Sequence, residues 1–167
     1  MLFNTIDRRS QASKLPKNFW LTMQQSKLTM RDKLVLIYLY TSPYTNRLGY
    51  FQCCPIDIAK ALDKTIISIY SSLESLQKHD FIKFEIIPDL VYLSHYLEEF
   101  AIKNKNQGMH VERLFKEVMV FSADADFSIL CNLIVNLLKS NYLSRSFRKT
   151  LKELFYDLRI MIVERGE

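Results

Sequence analysis

Apolar residues recur at helical spacing along most of this chain. Leu34, Ile37 and Tyr38, then Thr41, keep that spacing, and Val35, Leu36 and Leu39 fill the other faces. The pattern predicts a helix that is apolar nearly all round and therefore buried. Thr29 followed by Asp32 is a capping-box variant that starts it, and Ser42-Pro43 ends it. Tyr44 to Gly49 reads as a loop and Tyr50–Cys53 as a short β-compatible run. Pro55 suits the first turn of a short helix over Pro55–Leu62, with Ile58, Ala59 and Leu62 on one face. Asp63 is expected to cap a longer helix reaching about His79, with Ile66, Ile69, Tyr70, Leu73 and Leu76 as its apolar stripe. Alternation over Phe81–Phe84 predicts a strand, Ile87-Pro88-Asp89 a turn and Leu90–Leu93 the return strand.

The remainder reads as helical. His95–Ile102 supplies one or two turns and Lys103–Gln107 a polar break. Val111, Leu114, Phe115, Val118 and Met119 then form one stripe. A second helix covers 127–139, with Asp124 and Asp126 at the turn before it, and a third runs from Ser144 to about Glu164. In the last, Phe147, Leu151, Leu154, Leu158 and Met161 make a heptad-like seam, expected either to pack on the other tail helices or to join two copies or a partner helix. The expected fold is mainly α with a small β wing. Residues 1–17 form a basic N-terminal arm, 18–102 a winged-helix domain and 108–167 a C-terminal helical region.

A short helix, a tight turn, a longer helix and a two-stranded hairpin make up a winged helix-turn-helix. In such a module the N-terminal residues of the second helix reach base edges in the major groove while the first helix crosses the backbone. The outward positions are expected to be Lys64, Thr65, Ser68, Ser71 and Ser72. A lysine reaches phosphate or guanine, and hydroxyls bond base edges or phosphate. The wing, tipped by Asp89 and lacking Lys or Arg there, is a poor minor-groove reader. Phosphate contact then falls to Arg8, Arg9, Lys14 and Lys17 of the arm and to Arg31 and Lys33. Tyr44 and Arg47 of the loop, and the strip Lys139, Arg145, Arg148, Lys149 and Lys152, are further candidates.

Composition narrows the choice of chemistry. The chain has 167 residues with only 3 glycines, dispersed at Gly49, Gly108 and Gly166. Phosphate-cradling loops need several glycines in one turn, so nucleotide-binding fingerprints are excluded. The net charge of +5 is unevenly spread. Residues 1–48 carry eight Lys/Arg against two Asp/Glu, 49–100 four against eight, and 101–167 eleven against eight. The acidic middle weakens a phosphate-hugging surface, because non-specific affinity comes mainly from Lys/Arg. Three cysteines, two of them the adjacent Cys53 and Cys54, offer no disulfide framework. The three histidines lack metal-ligand spacing, and no nucleophile–base–acid set is visible. A cytoplasmic, non-enzymatic chain with no cofactor and no membrane segment is expected.

The run from Arg31 to Leu62 resembles the N-terminal winged-helix domain of phage and prophage replication proteins of the replisome-organiser type. Phe19-Trp20 matches an aromatic-Trp pair, and Thr41, Pro43, Thr45 and Asn46 a Thr-x-Pro-x-Thr-Asn loop. Leu48, Gly49 and Tyr50 match the following strand. Leu73, Glu74, Leu76, Phe81, Ile82 and Lys83 match the end of the helix-turn-helix, and Tyr96-Leu97 with Asn104–Gln107 echoes the segment after the wing. The likeness covers about residues 18–120. It implies recognition of double-stranded DNA in replication initiation, with the C-terminal region recruiting replication proteins. Two alternatives stand beside it: a winged helix that assembles partners without binding DNA, and a transcriptional regulator. A homodimer through the 144–164 helix is a further expectation.

Overall fold

The computed structural model describes residues 14–87, 89–121 and 127–165. Arg8, Arg9, Pro88, Asp124 and Asp126 lie outside the described residues. Two compact units divide between Ser94 and His95.

The first unit holds α1 (Phe19–Gln25), α2 (Met30–Thr41), β1 (Tyr50–Gln52), α3 (Pro55–Leu62), α4 (Ile66–Lys78), β2 (Ile82–Glu85) and β3 (Leu90–Leu93). The strands form one antiparallel sheet in the order β1-β3-β2, with Phe51 opposite Val91 and Phe84 opposite Val91 on its other side. This is a winged helix-turn-helix: α3 and α4 are its helix pair and β2–β3 its wing. Thr29 and Asp32 form a complete capping box at the start of α2. Ser42 ends that helix, and its hydroxyl and that of Thr45 bond each other at 3.0 Å inside the loop. Val35, Leu36 and Leu39 of α2, Ile58 of α3, Ile69, Leu73 and Leu76 of α4, and the inward residues of the sheet make the core.

Three local expectations are corrected. Helix α2 is not apolar-buried all round, because Met30 and Leu34, one turn apart, are exposed. Asp63 does not cap α4. It ends α3 in the left-handed region at φ 51°, a conformation a short polar residue tolerates, and Thr65 caps α4 by accepting the Ser68 N–H at 3.3 Å. Residues 19–25, to which the apolar pattern assigns no element, form α1, anchored by buried Phe19 and Met23 at i, i+4.

The second unit holds α5 (Tyr96–Glu99), α6 (Lys105–Phe121), α7 (Phe127–Leu138) and α8 (Arg145–Arg165). The short α5 packs on α7, so it stands with the tail helices. The expected polar break before α6 is itself the helix start, since the Asn104 side chain accepts the Gln107 N–H at 2.9 Å. Helix α7 is anchored by Leu130, Leu133, Ile134 and Leu137, and α8 by Phe147, Leu151 and Leu158. Phe115 of α6 meets Phe147 edge-on at 5.6 Å between ring centroids. Ser144 caps α8 through the Phe147 N–H, and its own N–H donates to Glu112 of α6 at 2.6 Å.

Gly108 lies within α6, where a Cβ would run into the Tyr142 carbonyl. The obstacle is backbone and cannot rotate away. Gly108→Ala is therefore expected to destabilise the second unit by about 1–3 kcal/mol, the usual cost of overpacking. A thermal melt of the variant against the parent checks this.

Candidate nucleic-acid interface

The turn between α3 and α4 is three residues long, Asp63 to Thr65, and presents Lys64 to solvent at the start of α4. Across from it lies the first turn of α2. Together they border an open depression of about 550 Å³ lined by Met30, Arg31, Leu34, Asp63, Lys64, Thr65 and Ser68. Four of the residues singled out from sequence, Arg31, Lys64, Thr65 and Ser68, therefore meet at one place. The first N–H groups of a helix lack intrahelical partners and carry partial positive charge. An anion in the depression would meet that helix end and two cations.

Arg31 also ties the two helices together. Its Nε donates to Ser72 Oγ at 2.9 Å and one terminal nitrogen to Ser71 Oγ at 3.3 Å. These bonds use two of the five guanidinium donors. Beside them Asp32 is buried, and its Oδ2 accepts the Thr29 N–H at 3.0 Å and the Ser75 hydroxyl at 3.1 Å. Burial alone would raise the pKa of this carboxyl. The hydrogen bonds of Ser72, Thr29 and Ser75 outweigh it, and the net shift is downward.

Ser72 is the correction that matters most. It is 0% exposed and points between α2 and α4, so it is no outward reading residue. Ser71 is exposed but held by Arg31. Ser68 donates to its own turn, to Thr65 O at 2.7 Å. Lys33 sits about 200° around α2 from Arg31, at roughly 100° per residue, and does not line the depression. Lys14 and Lys17 are exposed ahead of α1, also off the depression. The outward face of α4 continues as Ile67, Ser71, Glu74 and Lys78 at helical spacing, and Ile67 is 79% exposed. The exposed apolar side chains of Met30 and Leu34 in the depression and of Ile67 on α4 were not foreseen from sequence, although the i, i+4 pairing of Met30 with Leu34 was an available signal.

Several of the remaining candidates have local roles. Tyr44 donates to Asp57 Oδ2 at 3.0 Å and so fixes the loop to α3. Burial pushes the Cys53 thiol up to about 12, which keeps it protonated and unreactive at neutral pH. Of the basic strip in the second unit, Arg148 donates to the Leu138 and Ser140 carbonyls at the end of α7, Lys139 pairs with Glu98 and Lys149 with Glu153. At the wing tip Ile86 and Ile87 are exposed, and Asp89 takes a positive φ of 60°.

Among the described residues, no group of His, Cys, Asp and Glu is arranged to hold a metal ion, and no helix is long and apolar enough to cross a membrane. Comparison with protein-family models, curated proteins and solved structures finds no significant match to this chain.

Two substitutions separate support from contact. Ser72→Ala removes a buried hydroxyl that serves Arg31 and is expected to cost about 1–3 kcal/mol, whereas exposed Ser71→Ala should change stability by less than about 0.5 kcal/mol. Denaturant titration distinguishes them. Asp32 adds a pH signature. Its folded pKa lies below the ordinary 3.8, so its contribution is present above that pH and is lost as pH falls through the lower folded value. The stability gap between the parent and Asp32→Asn should be open at pH 7 and close progressively below pH 3.8.

Proposed function

We propose that this chain is a non-enzymatic winged-helix protein of the cytoplasm that binds duplex DNA through the N-terminal end of α4. The observation that carries the reading is the meeting of Arg31, Lys64, Thr65 and Ser68 around one open depression at the start of that helix. A phosphate there gains from the lysine, from the guanidinium donors not engaged by serines, and from the helix end. Lys64 and Ser71 then stand beside the exposed face of α4 that would enter a major groove. The likeness of residues 18–120 to phage replication proteins supports placing this binding in replication initiation, with other replication proteins as partners.

A second reading is favoured by the exposed apolar side chains of Met30 and Leu34 in the depression and of Ile67 on the outward face of α4, which suit an apolar protein partner. Glu74 and Asp63 on the same surface also temper phosphate attraction.

Titration of the full chain with duplex DNA across a salt series tests the first reading. Log affinity should fall linearly with log salt, and Lys64→Ala should weaken binding and lower that slope by about one. Glu74→Lys should strengthen binding severalfold by removing one repulsion and adding one cation. Absence of binding at low salt, or indifference to both substitutions, contradicts DNA recognition by α4 and leaves partner docking as the reading.

A further inference from the structure

Among the described residues, one apolar face of α8 is buried and another is exposed. Phe147, Leu151 and Leu158 are buried, so the seam anticipated as a dimer contact is largely occupied by packing inside the chain. On the opposite side Tyr156, Ile160 and Val163 are 68%, 56% and 78% exposed. Their 4-3 spacing places them at d, a and d of a heptad in which Leu158 is the outermost position, f.

The residues flanking this strip carry opposite charges on its two edges. Lys152 and Arg159 fall at the g positions and Asp157 at e. In a parallel helix pair each g residue faces the e residue five places further along the other chain. Lys152 then faces Asp157 of the other copy, and the two-fold axis repeats this opposite-sign pair. In an antiparallel pair g faces g and e faces e, which sets lysine and arginine against each other and acid against acid. Among the described residues neither Lys152 nor Asp157 has an ion-pair partner within the chain. Arg159 is held over the Phe155 ring, 5.8 Å from its centroid, on the same edge.

We infer that this outer face of α8 pairs with the same face of a second copy of the chain, the two helices running parallel about a two-fold axis. The apolar seam is short. It ends toward the N-terminus of α8 at Lys149 and Glu153, which pair with each other at 3.7 Å. The association is therefore weak and depends on concentration, and it is independent of the DNA reading.

Sedimentation velocity of the full chain without DNA, over a concentration series, tests it. The expected result is a monomer–dimer equilibrium that Ile160→Glu abolishes. Lys152→Glu creates two like-charge contacts per dimer and should weaken association about tenfold. Adding Asp157→Lys to that variant restores opposite signs and should recover it. The positions altered are all exposed, and circular dichroism of each variant verifies an intact helix content. A monomer at every concentration, a dimer indifferent to Ile160→Glu, or a dimer strengthened by Lys152→Glu, as antiparallel pairing requires, overturns the inference.

Discussion

The hydrogen bond from Arg31 Nε to Ser72 Oγ, with the buried Asp32 carboxylate beside it, holds α2 against α4. A charged guanidinium and a carboxylate at the edge of an apolar core are costly unless each finds partners. Here the partners include hydroxyls of one helix, Ser71, Ser72 and Ser75, so these bonds favour one relative position of the two helices. That position sets which residues of α4 face outward, and it brings Lys64 and Arg31 to the same depression. The capping box joins this arrangement, because the carboxylate that accepts Ser75 also accepts the Thr29 N–H. Helix initiation and helix docking thus share one side chain.

The same geometry gives Arg31 two roles that pull in different directions. Its bonds to serine fix the orientation of α4, and its remaining donors border the place where a phosphate would sit. Lys64 has only the second role, standing exposed on the three-residue turn that left-handed Asp63 begins. This division explains why the two cations, both prominent in the sequence, differ in what their removal would do. It also explains why an acidic middle segment is compatible with an anion site. Asp57 is engaged by Tyr44 and Asp80 by Lys83, while the cations of the depression come partly from α2, outside that segment.

Much of the fold was legible because its signals are local. The Thr29–Asp32 cap, the Pro55 helix start, the Leu90–Leu93 strand and the stripe Ile69, Leu73 and Leu76 each follow from spacing or backbone chemistry within a few residues. The candidate site was legible in part. Lys64, Thr65 and Ser68 could be placed from the turn, and the approach of Arg31 required knowing how α2 crosses α4. Ser72 was misjudged by residue type, although the spacing spoke against an outward position: it is three residues after Ile69 and four before Leu76, inside the buried stripe. A polar residue on an apolar face announces a partner on the neighbouring helix, and here that partner is Arg31. The cap of α4 was misassigned for a related reason. Asp63 and Thr65 are both good caps, and only the left-handed turn at Asp63 decides between them. Gly108 stood in the sequence only as one of three dispersed glycines, and its role is a close approach to the Tyr142 backbone from far along the chain.

In the proposed function, α2 presents the N-terminal end of α4 as the surface that meets DNA. Amide hydrogen exchange of the full chain with and without a duplex tests it residue by residue. Added protection is expected at Lys64 to Ser71 and around Arg31, with the wing tip at Ile86 and Ile87 unchanged. Protection confined to the wing or to the second unit, with the start of α4 unaltered under conditions where the duplex binds, would contradict it.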